Sequence, residues 1–360
     1  MALDVVVSVD IERLAPSANE MNLLILSTEG AVPLRTYSSL EDVATDYVAV
    51  VEETTVRKKA YLLAKAIFEQ PLQQDAPGVL RRVTMVGINP PADAAGIQSA
   101  LSEILKMDDN WYVLLTDFTD DELLLAAATW IEGTGNSEAS DIRPKLGVFK
   151  TQNDSLSIPA FSRSGFVFVD PNTIEDGAFE SPEAAWAAVV APWYPQSVNW
   201  KFRQIAGATP TQRTFSEKDA LERANFNFLT TENKRSYMKN GTAGDGTFLD
   251  LVVGSDWIEN KIRNNLYDAF LANRKIGYSD DGFTVVLSAV LSALDDAAEM
   301  GIVAVDAETG QAVYTVDAPS RSEATPEQVA ARAMPPIKWS ALQEGAINTA
   351  QTHGVLRVTL

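Results

Sequence analysis

Segments typical of β-strands alternate with segments typical of α-helices through the first half of the chain. Strand patterns lie at Met21–Ser27, Val79–Ile88 and Trp111–Thr116, and a longer helix is predicted from Thr54 to about Glu69. Alternation of this kind places neighbouring strands parallel, because each helix carries the chain back across the sheet. The first half of the chain is therefore predicted to fold as a mostly parallel α/β layer.

The second half of the chain has a different pattern. A strand is predicted at Asn199–Ile205, and amphipathic helices are predicted from Asp256 and from Thr284. A β-hairpin is predicted at Ile302–Val316, where two alternating runs flank the turn DAETGQ. The stretch KWSALQEGAINTAQT is interpreted as a short helix or a turn. These elements indicate a second, α+β unit.

Alternating strand patterns also occur at both ends of the sequence. At the amino end, one side of the pattern is formed by Leu3, Val5, Val7, Val9 and Ile11. At the carboxyl end, Val355, Arg357 and Thr359 alternate with Leu356, Val358 and Leu360. Chain ends are usually frayed unless something holds them. Both ends are therefore expected to join a sheet, either their own or that of a neighbouring molecule, and a two-stranded hairpin is marginal without such additions.

Composition excludes several classes of chemistry. The chain has no cysteine, so thiolate zinc sites, iron–sulfur clusters and cysteine nucleophiles are excluded, and its one histidine, His353, is interpreted as a turn residue. The net charge of −20 disfavours nucleic-acid binding, because phosphate would be repelled. No apolar run approaches the length of a membrane span, so direct membrane insertion is not expected.

No cofactor, metal or catalytic site is predicted. The glycine-rich Gly241–Thr247 lacks the Gly-Lys-Ser/Thr ending of a phosphate-binding loop and is interpreted as an ordinary loop. Acidic residues cluster near two element ends, where helix dipoles favour them: Asp108, Asp109, Asp117, Asp120 and Asp121. The 49 acidic residues leave open a carboxylate-based hydrolase on a two-domain α/β scaffold.

Several stretches resemble the contractile phage tail sheath proteins. They are LRTYSSLEDVATDY, AYLLAKAIFEQP and RRVTMVG near the start, NWKFRQIAGATPT in the middle, and GTAGDGTFLDLVVGSDWIENKIRNNLYDAFLANRKIGYSDDGF later on. The last is the most specific, because its loop, helix, KIGYSDDG segment and following helix occur in the order of that family. The resemblance covers roughly Met21 to Leu360, and nothing is carried over for residues 133–159.

The resemblance implies a multidomain α+β and α/β protein without enzymatic activity. It implies an N-terminal arm at 1–20, an outer α/β domain at 21–198, an inner sheath domain at 199–347 and a C-terminal arm at 348–360. Such subunits form a six-fold helical homo-oligomer of stacked hexameric rings around a tail tube protein, and they contract to drive the tube through the host envelope.

The implied partners also include a baseplate and a tail terminator, but neither nucleic acid nor a membrane. The implied location is the tail sheath of a virion, assembled in the host bacterial cytoplasm. Another virion tail component is the alternative within the same class.

The resemblance also implies that the terminal arms add strands to adjacent subunits. We expect the hairpin to accept them, through the residues Ile302, Ala304, Val313, Tyr314 and Val316. Contact with the tube is expected from the segment Lys338–Thr349, with Lys338, Trp339 and Gln343 as candidate residues. The alternative is that both ends pair within their own subunit.

Overall fold

The computed structural model describes residues 21–51, 54–91, 93–135, 143–174 and 179–349. The strands among them are β1 Leu23–Ser27, β2 Val32–Tyr37, β3 Val48–Val51, β4 Thr54–Arg57, β5 Val83–Gly87, β6 Val113–Thr116, β7 Leu146–Thr151, β8 Ser164–Phe168, β9 Phe226–Glu232, β10 Arg235–Lys239, β11 Tyr314–Asp317 and β12 Lys338–Ala341. The helices are α1 Leu40–Tyr47, α2 Lys59–Phe68, α3 Ala94–Met107, α4 Asp121–Thr134, α5 Pro182–Val190, α6 Phe215–Arg223, α7 Leu249–Ala272, α8 Asp280–Glu299 and α9 Pro326–Ala331.

One eight-stranded sheet forms the body of the molecule, in the order β10-β9-β8-β7-β6-β1-β5-β2. The six strands from β9 to β5 are parallel, and the edge strands β2 and β10 are antiparallel to their neighbours. The register brings Ile25 of β1 beside Met85 and Leu115. The predicted α/β layer is therefore confirmed, as a mixed sheet.

Helices cover both faces of this sheet. Leu24 and Leu26 belong to an apolar core shared with α3 and α4, whereas Ile25 belongs to a core shared with α1, α2 and α5. Because both faces are covered, the central strand is a continuous apolar run rather than an alternating one. This explains why LLILS reads as a buried strand.

The helix predicted from Thr54 is present, but its predicted start is wrong. Thr54–Arg57 is a strand paired with β3, and helix α2 begins only at Lys59. The β-branched Thr55 and Val56 favour this extended backbone.

Asn199–Ile205 is not a strand. Trp200 packs edge-on against Trp186, with ring centroids 5.0 Å apart, and its carbonyl accepts a hydrogen bond from the Trp186 indole. Phe202 takes a left-handed conformation with φ of 65°, which breaks the extended run. Burial of one aromatic side chain therefore overrides the alternating pattern.

Helices α7 and α8 begin earlier than predicted. Helix α7 starts at Leu249 rather than Asp256, and α8 starts at Asp280 with Ser279 as its cap rather than at Thr284. Among the described residues, no helix has an uncharged apolar stretch long enough to cross a bilayer.

The main sheet continues past residue 198, the predicted domain boundary. Strands β9 and β10 complete it, and a separate apolar core begins only at Trp257 and Ile258. We call residues 21–248 the α/β body and residues 249–349 the C-terminal module. Helix α7 is the first element of that module.

The glycine-rich loop before α7 is held by one buried side chain. The Asn227 amide donates to the carbonyls of Phe166 and Thr242, and its oxygen accepts from the amides of Gly241 and Thr242, over 2.8–3.2 Å. Gly241 has a φ of 83°, and a Cβ there would lie 2.8 Å from the Lys201 nitrogen. Asn227 and Gly241 together set the point at which the chain enters α7.

We expect Asn227→Leu to lower the free energy of unfolding by at least about 3 kcal/mol. Each buried backbone group left without a partner costs about 1–3 kcal/mol, and leucine replaces none of the four hydrogen bonds. Urea denaturation measures the change. The control is Thr129→Val, which removes a single bond within an exposed helix face; equal losses in the two variants would contradict the role assigned to Asn227.

Candidate assembly surface

The C-terminal module carries a sheet of only two strands. Strand β11 pairs antiparallel with β12, so that Thr315 lies opposite Ser340 and Val316 opposite Trp339. The side-chain oxygens of Thr315 and Ser340 are 2.9 Å apart, within hydrogen-bond distance. Among the described residues no third strand flanks this pair, and two-stranded sheets are marginally stable in water.

The predicted hairpin at Ile302–Val316 is only partly present. Val305 bridges to Ala312 and the Val313 amide donates to the Ala304 carbonyl over 2.8 Å, so the turn closes as expected. Beyond that point the pairing changes, because Tyr314 lies opposite Ala341 and Val316 opposite Trp339.

The reason for the change is that the first arm of the hairpin is held by α8. The Ile302 amide donates to the carbonyl of Ala297, and the Ile302 side chain is completely buried in the module's core. The Ala304 amide then donates to the carbonyl of Leu342. The small sheet is thus built from β11 and β12, and the segment KWSA is a strand rather than the predicted helix or turn.

The candidate tube-facing residues lie in different surroundings. Lys338 and Trp339 lie on β12, where the Trp339 side chain is 41% exposed. Gln343 instead donates from its amide to the Leu251 carbonyl and to the Ser255 hydroxyl on α7, both over 3.0 Å. Lys338 and Trp339 are accessible, whereas the Gln343 amide is bonded within its own subunit.

The edges of the large sheet carry a proline and basic residues that strand β11 of the small sheet lacks. Edge strand β2 contains Pro33 and Arg35 and has an irregular register there, and the other edge strand, β10, carries Arg235 and Lys239. Proline, charges and bulges discourage a foreign strand from pairing with an edge. Strand β11, with the sequence YTVD, has neither a proline nor a basic residue. Strand β11 is therefore less protected against pairing than the edges of the large sheet.

One carboxylate fastens the C-terminal module to the α/β body. Asp256 on α7 accepts a hydrogen bond from the Tyr112 hydroxyl over 2.7 Å and from the Arg163 guanidinium. Arg163 also donates to the Lys145 carbonyl over 3.0 Å, at the start of β7. Burial raises the pKa of Tyr112 well above its ordinary value, so its hydroxyl remains a donor at neutral pH.

Helix α7 belongs to two hydrophobic cores at once. Leu249, Val252 and Val253 in its first turns pack into the α/β body, whereas Trp257 and Ile258 pack with α8 and the small sheet. The helix is 24 residues long. Helix α7 therefore connects the core of the α/β body with the core of the C-terminal module.

A cleft of about 570 Å³ lies beside this anchor. Its walls include Leu23, Tyr112 and Lys145, which stand at the amino ends of parallel strands, and Asn260 and Asn264 of α7. Ligands of open α/β sheets bind at the opposite, carboxyl ends of the strands. The cleft is therefore on the side of the sheet that does not usually carry an active site.

The carboxyl ends of the strands are filled by buried polar side chains. Asp117, directly after β6, accepts hydrogen bonds from the Ser27 hydroxyl over 2.6 Å and from the Thr28 amide over 3.0 Å. Burial raises the pKa of Asp117, and it raises the pKa of Glu183 near Lys150 as well. In the part of the chain that the structure describes, no three acidic or histidine side chains are grouped to hold a metal ion.

Comparison with protein families gives a match in the C-terminal module. Residues 249–352 match the family described as E217 tail sheath protein gp31-like, C-terminal domain. The predicted resemblance to contractile tail sheath proteins is confirmed. The match begins at Leu249, the first residue of α7, and not at residue 199. No curated protein sequence matches the chain.

Solved structures share the fold over 82–99% of this chain. A chain of the anti-feeding prophage baseplate, determined by cryo-electron microscopy with six-fold symmetry, is 13% identical with a TM-score of 0.70 over 99% of this chain and 100% of that one. The contracted helical sheath of the same prophage is 13% identical, with a TM-score of 0.65 over 99% of both chains. The sheath tail protein Lin1278 from Listeria innocua is 12% identical, with a TM-score of 0.55 over 82% of this chain and 88% of that one.

The terminal strand patterns lie outside the described residues. This applies to the whole N-terminal set from Leu3 to Ile11, to Val355–Leu360 and to His353. Their pairing remains a prediction. The sequence patterns missed β12 and the anchoring role of Asp256; the two prolines before Lys338 and the apolar Trp339 were the available signals for β12.

We expect Asp256→Ala to lower the free energy of unfolding by about 3–5 kcal/mol, because the Arg163 charge is then buried without its partner. The matched control is Asp219→Ala, which breaks the exposed ion pair with Arg223 on α6 and should cost less than about 1 kcal/mol. Chemical denaturation of both variants measures the difference. If the two losses were equal, Asp256 would not be the anchor described above.

Proposed function

We propose that the chain is a structural subunit of a contractile tail sheath, which polymerises as stacked hexameric rings around a tail tube. The single observation that carries this proposal is the match of the C-terminal module to a tail sheath domain. The shared fold with sheath chains over nearly the full length supports it. Contraction would then drive the tube through a cell envelope.

We further propose that the small sheet β11–β12 accepts the terminal arms of neighbouring copies. A two-stranded sheet gains main-chain hydrogen bonds and buried area from each added strand. The alternating residues at 3–11 and 355–360 supply strands of suitable length, and both edges of the small sheet lack partner strands among the described residues. This moves the proposed acceptor from the hairpin Ile302–Val316 to the β11–β12 pair.

The proposed division of the chain follows the two cores. Arms at 1–20 and 348–360 flank an outer domain and an inner domain, and the inner one begins at residue 249 rather than at 199. Support for this boundary comes from β9 and β10, which belong to the large sheet, and from the start of the family match. In this arrangement α7 transmits displacement of the interlaced small sheets to the outer domains.

The proposed partners are further copies of the chain, a tail tube protein, a baseplate and a tail terminator. The net charge of −20 suits a partner with a basic surface. On β12, Lys338 and Trp339 are accessible for tube contact. The sheath belongs either to a virion or to a related injection particle, since the anti-feeding prophage and PVC assemblies share the fold.

A carboxylate-based hydrolase receives no specific support. The described cleft lies at the amino ends of the strands, and Asp117 at the other end is occupied by hydrogen bonds from Ser27 and Thr28. We therefore propose a non-catalytic role in which energy for contraction is stored in contacts between subunits.

Deleting Gly354–Leu360 should leave a folded protein that forms no sheath, because the strand that joins neighbouring copies is lost. Negative-stain electron microscopy of concentrated protein, with and without tail tubes, measures assembly, and circular dichroism measures folding. Cylinders with six-fold end views are expected from the unmodified chain.

The matched pair for this test is Val358→Pro and Val358→Ala. Proline removes a main-chain donor from the added strand, whereas alanine keeps it, so only the proline variant should fail to assemble. A deletion variant that unfolds, or one that polymerises normally, would show that the carboxyl strand does not link subunits.

A further inference from the structure

Helix α7 presents one continuous stripe of side chains that begins in the cleft and ends beyond it. At 100° per residue, Asn260, Asn264, Tyr267 and Leu271 lie within about 60° of one another around the helix. Asn260 and Asn264 line the cleft. Tyr267 is 63% exposed and Leu271 is 82% exposed. We call these four residues the α7 stripe.

The exposed end of the stripe is unusually apolar for a surface. Phe270, adjacent to it, is 55% exposed, so three large apolar side chains lie together over about one and a half turns. Contiguous apolar patches on a soluble chain mark sites that another segment covers. Arg274 and Lys275 follow directly and are exposed as well.

The chain outside the described residues begins at the other end of the stripe. Met21 is buried and lines the same cleft as Asn260, so the segment before Met21 joins the body at this cleft. Residues 12–20, ERLAPSANE, span up to about 30 Å when extended. From Asn260 to Leu271 the helix rises only about 16 Å. The segment is therefore long enough to follow the stripe to its end.

We propose that residues 12–20 of the same chain lie along the α7 stripe. Leu14 would cover Tyr267 and Leu271, and Glu12 would meet Arg274 and Lys275 beyond the helix end. The N-terminal arm then leaves the subunit at the tip of the α7–α8 hairpin. This inference rests on the proposed function and deepens it, because it places the linker at residues 12–20 on α7, the helix that joins the two cores.

Because the chain contains no cysteine, engineered cysteine pairs test this contact directly. The pairs are Leu14→Cys with Leu271→Cys, and Leu14→Cys with Tyr267→Cys one turn earlier. The control is Leu14→Cys with Leu72→Cys, since Leu72 is 63% exposed on the α/β body. Each full-length variant is oxidised at low concentration, and the cross-links are identified by non-reducing electrophoresis and peptide mass spectrometry.

The expected result is a cross-link within one chain for at least one α7 pair, at least tenfold more abundant than in the Leu72 control. Cross-linked dimers would overturn the proposal by showing that the stripe holds the segment of a second copy. Absence of a cross-link in both α7 pairs, or equal cross-linking to Leu72, would overturn it as well.

Electron microscopy of the unmodified chain separates this inference from the proposed function. An intrachain cross-link in a chain that never forms cylinders would support the proposed position of residues 12–20 on the α7 stripe and refute the sheath assignment. Cylinders without an intrachain cross-link would support the sheath assignment and refute the proposed position of residues 12–20.

Discussion

The hydrogen bonds from Tyr112 and Arg163 to Asp256 join the C-terminal module to the α/β body. Tyr112 and Arg163 come from the amino ends of two strands of the main sheet, and Asp256 comes from the helix that begins the C-terminal module. A buried carboxylate keeps its charge only when donors surround it, so the three side chains must form the site together. The direction of α7, and with it the position of the small sheet, depends on that requirement.

Among the described residues, the large sheet and the β11–β12 sheet differ in how their edges are protected. The large sheet ends in antiparallel strands that carry proline, arginine and lysine, which discourage further pairing. The small sheet has only two strands and few such protections. In the proposed sheath, this difference would keep the large sheet closed and leave the small sheet free to receive a strand from another copy.

Much of the α/β body could be predicted from the sequence, and less of the C-terminal module. Continuous apolar runs such as LLILS predicted the central strands correctly, because burial on both faces leaves a strong local signal. The prediction of a strand at Asn199–Ile205 was wrong because the burial of Trp200 against Trp186 overrides local alternation. Strand β12 was missed because its four residues are extended only through pairing with β11. The last residue of β11, Asp317, lies 21 residues before Lys338, the first residue of β12.

The sequence by itself determined which classes of chemistry the molecule excludes and the resemblance of its C-terminal module to tail sheath proteins. The absence of cysteine, the single histidine and the net charge of −20 are properties of composition, and the order of loop and helices from Gly241 onwards is local. Only the tertiary structure decided the rest. Asp256 stands at the predicted start of a helix but bonds to Tyr112 and Arg163, and the small sheet is a pair of strands rather than the predicted hairpin. Both outcomes depend on partners far apart in the chain, which local patterns do not specify.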